Sequence, residues 1–132
     1  MTLERAAEVL EQLAPSIAPI LTIGHIDGNL DKAIGVYPDK NAPKERQVCI
    51  GGEEATLSHC TWLTLLVHWT HSPVEAEKKA RELFEALRQA APEGVSYLDV
   101  SEPVDVYKDS RGVFEYVINF KVYECKEDES WQ

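Results

Sequence analysis

The sequence predicts an α+β domain: a mostly antiparallel β-sheet with one long helix packed on one face and a further helix at the N-terminus. Three observations carry this reading. Helical periodicity occupies two separate stretches, over 2–14 and again after Ser72. Segments with two-residue alternation lie between and after them, bounded by Gly, Pro and Asp turn signals. The resulting order, helix, strands, helix, strands, suits a helix layer on a sheet.

In the first helix Leu3, Ala6, Ala7, Leu10, Leu13 and Ala14 recur at helical spacing, with Glu4, Glu8 and Glu11 mostly elsewhere. Thr2 serves as N-cap and Pro15 as the stop. The stretch "PSIAPILTIGHIDGNLDK" carries two prolines and an Asp27-Gly28 turn signal, and reads as loop with a short strand. "AIGVYP" and "RQVCIG" read as two strands of a loose hairpin around "DKNAPKE", closed by a flexible Gly51-Gly52 turn. A third strand runs from about Ser58 to Trp69. Its odd positions Leu63, Leu65, Val67 and Trp69 are uniformly apolar, while Cys60, Trp62, Thr64, Leu66 and His68 are mixed. One face therefore meets the core, and the other is only partly covered or meets another subunit.

Ser72-Pro73-Val74-Glu75 is a strong helix start, with Ser72 as cap, Pro73 at the first helical position and Glu75 completing a capping box. Ala76, Ala80, Leu83, Phe84 and Leu87 form one stripe, and Glu75/Lys79, Glu77/Arg81 and Lys78/Glu82 are spaced for surface pairs. Pro92 and Gly94 mark the end. A short strand at "VSYLDV" follows, then "EPVDVYK", a turn at "DSRG", and a long strand from Val113 to Glu124 in which Phe114, Tyr116, Ile118, Phe120 and Val122 alternate with polar or small residues. Residues 1–132 read as a single domain with a core over 31–124 and an acidic tail over 125–132.

Composition narrows function. Hydrophobic content of 44% and charged content of 27% fit a soluble globular protein that needs no metal or disulfide staple. No apolar run approaches the ~20 residues that span a bilayer, and "MTLERAAEVLEQL" lacks the pattern of a signal peptide. Synthesis in the cytoplasm, with no membrane association, is the expectation. Cys49, Cys60 and Cys125 are widely spaced without a CxxC, which argues for small buried hydrophobes rather than a disulfide framework or zinc ribbon. A formal net charge of −10 disfavours sequence-independent DNA wrapping, though not a protein past which DNA slides without sticking.

Several groupings invite a chemical reading, and each has a plainer one. His68-x-x-His71 straddles a strand end and a helix cap, and strand alternation sends the two residues to opposite sides. Cys60 shares parity with His68 but lies about 26 Å away along an extended strand. One metal cannot take both. His25-Ile26-Asp27 puts a histidine and a carboxylate on one side of an extended segment, but no nucleophile motif accompanies it. Gly51-Gly52 lacks a P-loop lysine and reads as a hinge. Glu53-Glu54, Glu102, Asp105 and Asp109 are a cation-site coincidence that acidic proteins offer often. No basic stripe with interleaved aromatics suggests single-stranded nucleic acid binding. The expectation is no enzyme, no cofactor, and no catalytic, cofactor-binding or metal residues.

Three ordered stretches carry a resemblance: "IGGEEATLSHCTWLTLLVHWTHS", "AEKKARELFEAL" and "EPVDVYKDSRGVFEYVINFKVYE". Over roughly residues 33 to 124 they resemble the minor capsid protein family of tailed phages and prophages of Gram-positive bacteria, whose members resemble tail terminator proteins of the head–tail region. In "LLVHW" the matching residues, Leu65 to Trp69, are structural. Tyr107-Lys108-Asp109-Ser110-Arg111 departs from the pattern, being bulkier and more basic than the small polar segment usual there. The resemblance implies a structural virion protein of the head–tail junction. It would self-associate into a ring, a hexamer by analogy with tail symmetry, contact other head–tail or tail tube proteins, and let DNA pass. The loop around "PDKNAPKE" and the "DSRG" turn would reach adjoining rings. Two other readings compete: an acidic regulatory protein that mimics DNA, and a small metal-dependent enzyme using His25, Asp27, His68 and His71.

Overall fold

The computed structural model describes residues 2–40, 58–89 and 95–125. The first helix, α1, runs Leu3–Leu13, and the Thr2 hydroxyl accepts the Arg5 N–H at 3.1 Å. Ala6, Ala7, Val9 and Leu10 are its buried residues, so Val9 widens the stripe that the spacing marks. Pro15 stops α1 but opens a 3-10 helix, Pro15–Ile20, which buries Ile17 completely. The short strand expected in this stretch is β1, Leu21–Ile23.

β1 pairs in parallel with β2, Ala33–Pro38. Every other pairing is antiparallel. β2 lies against β3, Ser58–His68, with Val36 opposite Leu65. The hairpin partner expected at "RQVCIG" falls outside the described residues. β3 then pairs along its whole length with β6, Phe114–Cys125, placing Leu65 opposite Ile118. The far edge of β6 carries two strands end to end: β5, Val104–Lys108, beside its first residues and β4, Val95–Val100, beside its last. The sheet order is β1-β2-β3-β6-β4, with β5 on the same side of β6 as β4.

The second helix, α2, spans Pro73–Arg88, and the Ser72 hydroxyl accepts the Glu75 N–H at 3.3 Å. The capping box forms only by half. Glu75 accepts from the Thr70 hydroxyl at 3.2 Å, and Thr70 Oγ1 in turn accepts the Ser72 N–H at 3.2 Å. Thr70 thus relays the contact that a box makes directly. With Glu75 engaged there, Lys79 pairs with Glu82 at 3.2 Å, three residues on rather than with the expected partner four back.

Both helices and the 3-10 segment cover one face of the sheet. Ala76, Ala80, Leu83, Phe84 and Leu87 of α2 and the α1 stripe close over Leu63, Leu65 and Val67 of β3 and Tyr116, Ile118, Phe120 and Val122 of β6. This is the alternation read from the sequence. Each fully buried Leu, Ile or Val contributes about 1.5–3 kcal/mol of transfer free energy. Ala76 and Ala80 at 0% exposure let the helix backbone approach β6 closely.

Candidate functional site

The opposite face has no helix over it among the described residues. Strand alternation turns Trp62, Thr64 and Leu66 of β3 outward, together with their partners Lys121, Asn119 and Val117 on β6. All six are half-buried by their neighbours alone. Lys121 Nζ sits 4.3 Å from the Trp62 ring centroid, a cation–π contact that shields the indole. Thr64 Oγ1 donates to Asn119 Oδ1 at 2.8 Å. Between the end of β2 and β5 this face sinks into a groove of about 640 Å³. Tyr37, Pro38, Asp39 and Lys40 form one wall, Leu66, Val117, Thr64 and Asn119 the floor, and Val104 and Val106 the other wall. Burial pushes the Tyr37 hydroxyl pKa up, and the negative Glu115 adds to the shift. The two valines are 53% and 49% exposed, so they form a raised apolar lip on the sheet edge.

The second feature is a polar clasp at the His68 end of the sheet. Register places Glu115 directly opposite His68, and the His68 Nδ1 lies 3.0 Å from Glu115 Oε2 and 3.7 Å from Asp109 Oδ2. A carboxylate only accepts, so the ring presents N–H at Nδ1. His68 is 1% exposed, and its Nε2 is buried with no hydrogen-bond partner among the described residues. Asp109 Oδ1 accepts the N–H groups of Arg111 at 2.8 Å and Val113 at 3.0 Å, closing the turn between β5 and β6. The Val113 N–H is the main cause that holds its carboxyl below the usual carboxylate range; burial opposes it, and the Arg111 N–H and the charges of His68 and Arg111 support it. The turn is then tied outward. The Arg111 guanidinium donates to the Gly28 carbonyl, His71 Nε2 lies 3.1 Å from the Arg111 carbonyl, and His71 Nδ1 faces Asp31 at 3.8 Å. Three loops therefore hold one another at this end. Above them Trp69 is flanked by Lys32 at 5.6 Å and Lys79 at 5.4 Å.

Of the residues singled out in the sequence, His68 and Asp109 meet in the clasp, but the described candidates do not form one centre. Cys60 and His68 share a face of β3 at opposite ends, and His68 is buried while His71 is exposed. His25 Nδ1 sits 3.1 Å from the Ile23 carbonyl, and the Asp27 carboxylate accepts the Asn29 N–H at 3.0 Å. Asp105 accepts the Tyr107 N–H at 2.7 Å, holding a β-bulge in which Tyr107 adopts φ +79°. Glu53, Glu54, Gly51 and Gly52 fall outside the described residues. Among the described residues no group of three or more His, Cys, Asp or Glu is arranged to hold a metal ion. Sequence reading missed the His68–Glu115–Asp109 clasp because its members meet through strand register across 47 residues. It also missed the groove, whose walls come from β2 and β5. The mixed even positions of β3 were the one available signal.

The described residues offer two surfaces: a sheet face with an apolar groove, and a set of interlocked loops beside it. A family model, that of the bacteriophage tail terminator protein, matches residues 9–123. The chain belongs to the bacteriophage tail terminator family. It is a structural phage protein of the head–tail junction and a virion component. The match starts within α1 and runs through β1 to β5, α2 and most of β6, so the family's defining pattern is nearly the whole fold and not a local motif. No curated protein matches the chain. No described helix of this tail terminator protein is long and apolar enough to cross a membrane.

Proposed function

We propose that this tail terminator protein is a ring-forming subunit, six copies to a ring by analogy with tail symmetry, that caps the finished tail and joins it to the head. The family match over 9–123 is the observation that carries the reading. The fold supports it. Among the described residues the helices cover one face of the sheet, which leaves the other to neighbours, and a subunit that meets its neighbour through two different patches closes into a ring where the rotation between copies permits. The interlocked loops at the His68 end present a fixed surface to an adjoining ring or to tail tube subunits. The net charge of −10 suits a channel through which DNA passes without adhering. The protein performs no catalysis and carries no cofactor. Its place is among the minor capsid proteins of phages and prophages of Gram-positive hosts, as the sequence resemblance implies.

A cap that ends tail polymerisation has a direct signature. Deleting its gene from the phage should leave tails of unregulated length that do not join heads, visible by negative-stain electron microscopy, with restoration by the gene in trans. Tails of normal length attached to heads would refute the proposal.

A further inference from the structure

We infer that the open sheet face, centred on the groove between Tyr37–Lys40 and the Val104–Val106 lip, is where a second copy of this chain docks. The inference rests on the ring reading for its choice of occupant, and three observations support the surface itself. The first is size. Six strands of 3, 6, 11, 6, 5 and 12 residues, β1 to β6 in chain order, build the face. At about 4.8 Å between strands and about 3.3 Å per residue the face covers on the order of 700 Å². That is near the roughly 800 Å² that each partner buries in a stable interface.

The second is charge. The chain carries −10 overall, yet the charged residues lining the groove are one acid and one base side by side, Asp39 and Lys40. Nucleic acid finds no row of cations there, and a basic protein finds no net negative charge to draw it. A second acidic copy, by contrast, can dock on this neutral groove without opposing like charges there. The third is composition. The floor is aliphatic, its central polar pair Thr64–Asn119 is already hydrogen-bonded, and half-buried aromatics flank it at Tyr37 and Trp62. An apolar centre with aromatic anchors and few charges is the make-up of an interface core. The Val104 and Val106 lip, about half exposed, is the part of the face with most apolar surface left to bury.

The test places a photo-crosslinking side chain at position 106 of the full-length protein, expressed in cells that produce the phage. Position 106 is exposed, so the substitution leaves the core untouched; Val104 is the second site should the first variant be poorly produced. The expected product after irradiation of assembled particles is an adduct of two copies, with the crosslinked peptides both mapping to this chain. An adduct with a different virion protein, or no adduct from either position, overturns the inference. Particle images separate the two levels of failure. Joined heads and tails with a ring of this chain but no self-adduct defeat the docking surface alone, whereas absence of the chain from the junction defeats the ring reading as well.

Discussion

Leu65 and Leu66 are neighbours in β3 with opposite fates, and their truncation measures how one-sided the sheet is. Leu65 is 0% exposed, held between Val36 of β2 and Ile118 of β6 beneath the helices. Removing its isobutyl group leaves a cavity enclosed by strands on both sides and helices above, a site with little room to collapse. Leu65→Ala should therefore cost about 3–4 kcal/mol, within the range seen for buried leucines. Leu66 faces the open groove, where solvent fills the vacated space, and Leu66→Ala should cost about 1 kcal/mol. At roughly 4 °C per kcal/mol for a domain of this size, the melting temperatures should fall by about 12–16 °C and about 4 °C. Urea unfolding followed by tryptophan fluorescence, at a dilution where the chain is monomeric, gives both values, with the urea dependence (m) unchanged. Equal losses at the two positions, or a larger loss at Leu66, would show the second face to be covered within the subunit and would refute the layer description.

Three further expectations test local geometry. Ser72→Ala removes the hydroxyl that accepts the Glu75 N–H and should lower unfolding free energy by about 1 kcal/mol, while Ser72→Asp retains the cap; equal stability of the alanine variant and wild type would contradict it. Gly35→Ala brings a Cβ to 2.8 Å from the side chains of both Ile26 and Tyr37, so it should destabilise by about 1–3 kcal/mol, read as a lower urea midpoint; an unchanged midpoint would mean that both side chains move freely aside. Asp109 has its carboxyl pKa lowered on folding, so its contribution is fully present above the unfolded value of about 3.9 and is lost as pH falls through the lowered folded value. Asp109→Asn should flatten that acid limb in urea titrations across pH, and an unaltered limb would show that the turn does not depend on the charge.

The legible parts of this fold were those written in local pattern. Thr2 and Ser72 announce their helices, and the alternation through Leu63–Val67 and Phe114–Val122 gives both strands and their buried face. Separation of His68 from His71 was readable too, since strand parity and a helix cap are local facts. What the sequence withheld was set by register and by competition for partners. Nothing local says that Glu115 lies opposite His68, or that Asp109 folds back onto the same ring. Thr70 took the place of one half of the capping box because its hydroxyl sits between Ser72 and Glu75. β1 emerged as a parallel partner of β2 because three residues are too few to show a period. The groove depends on β5 lying beside the start of β6, a matter of topology alone.

The central claim is the place and assembly of this subunit, and a cryo-electron microscopy map of the head–tail junction tests it most directly. The expected result is a closed ring at the top of the tail, six copies by analogy with tail symmetry, into each subunit of which the six-stranded sheet with α1 and α2 on one face fits. Density for the chain elsewhere in the particle, or a junction whose subunits do not accommodate this fold, would contradict it.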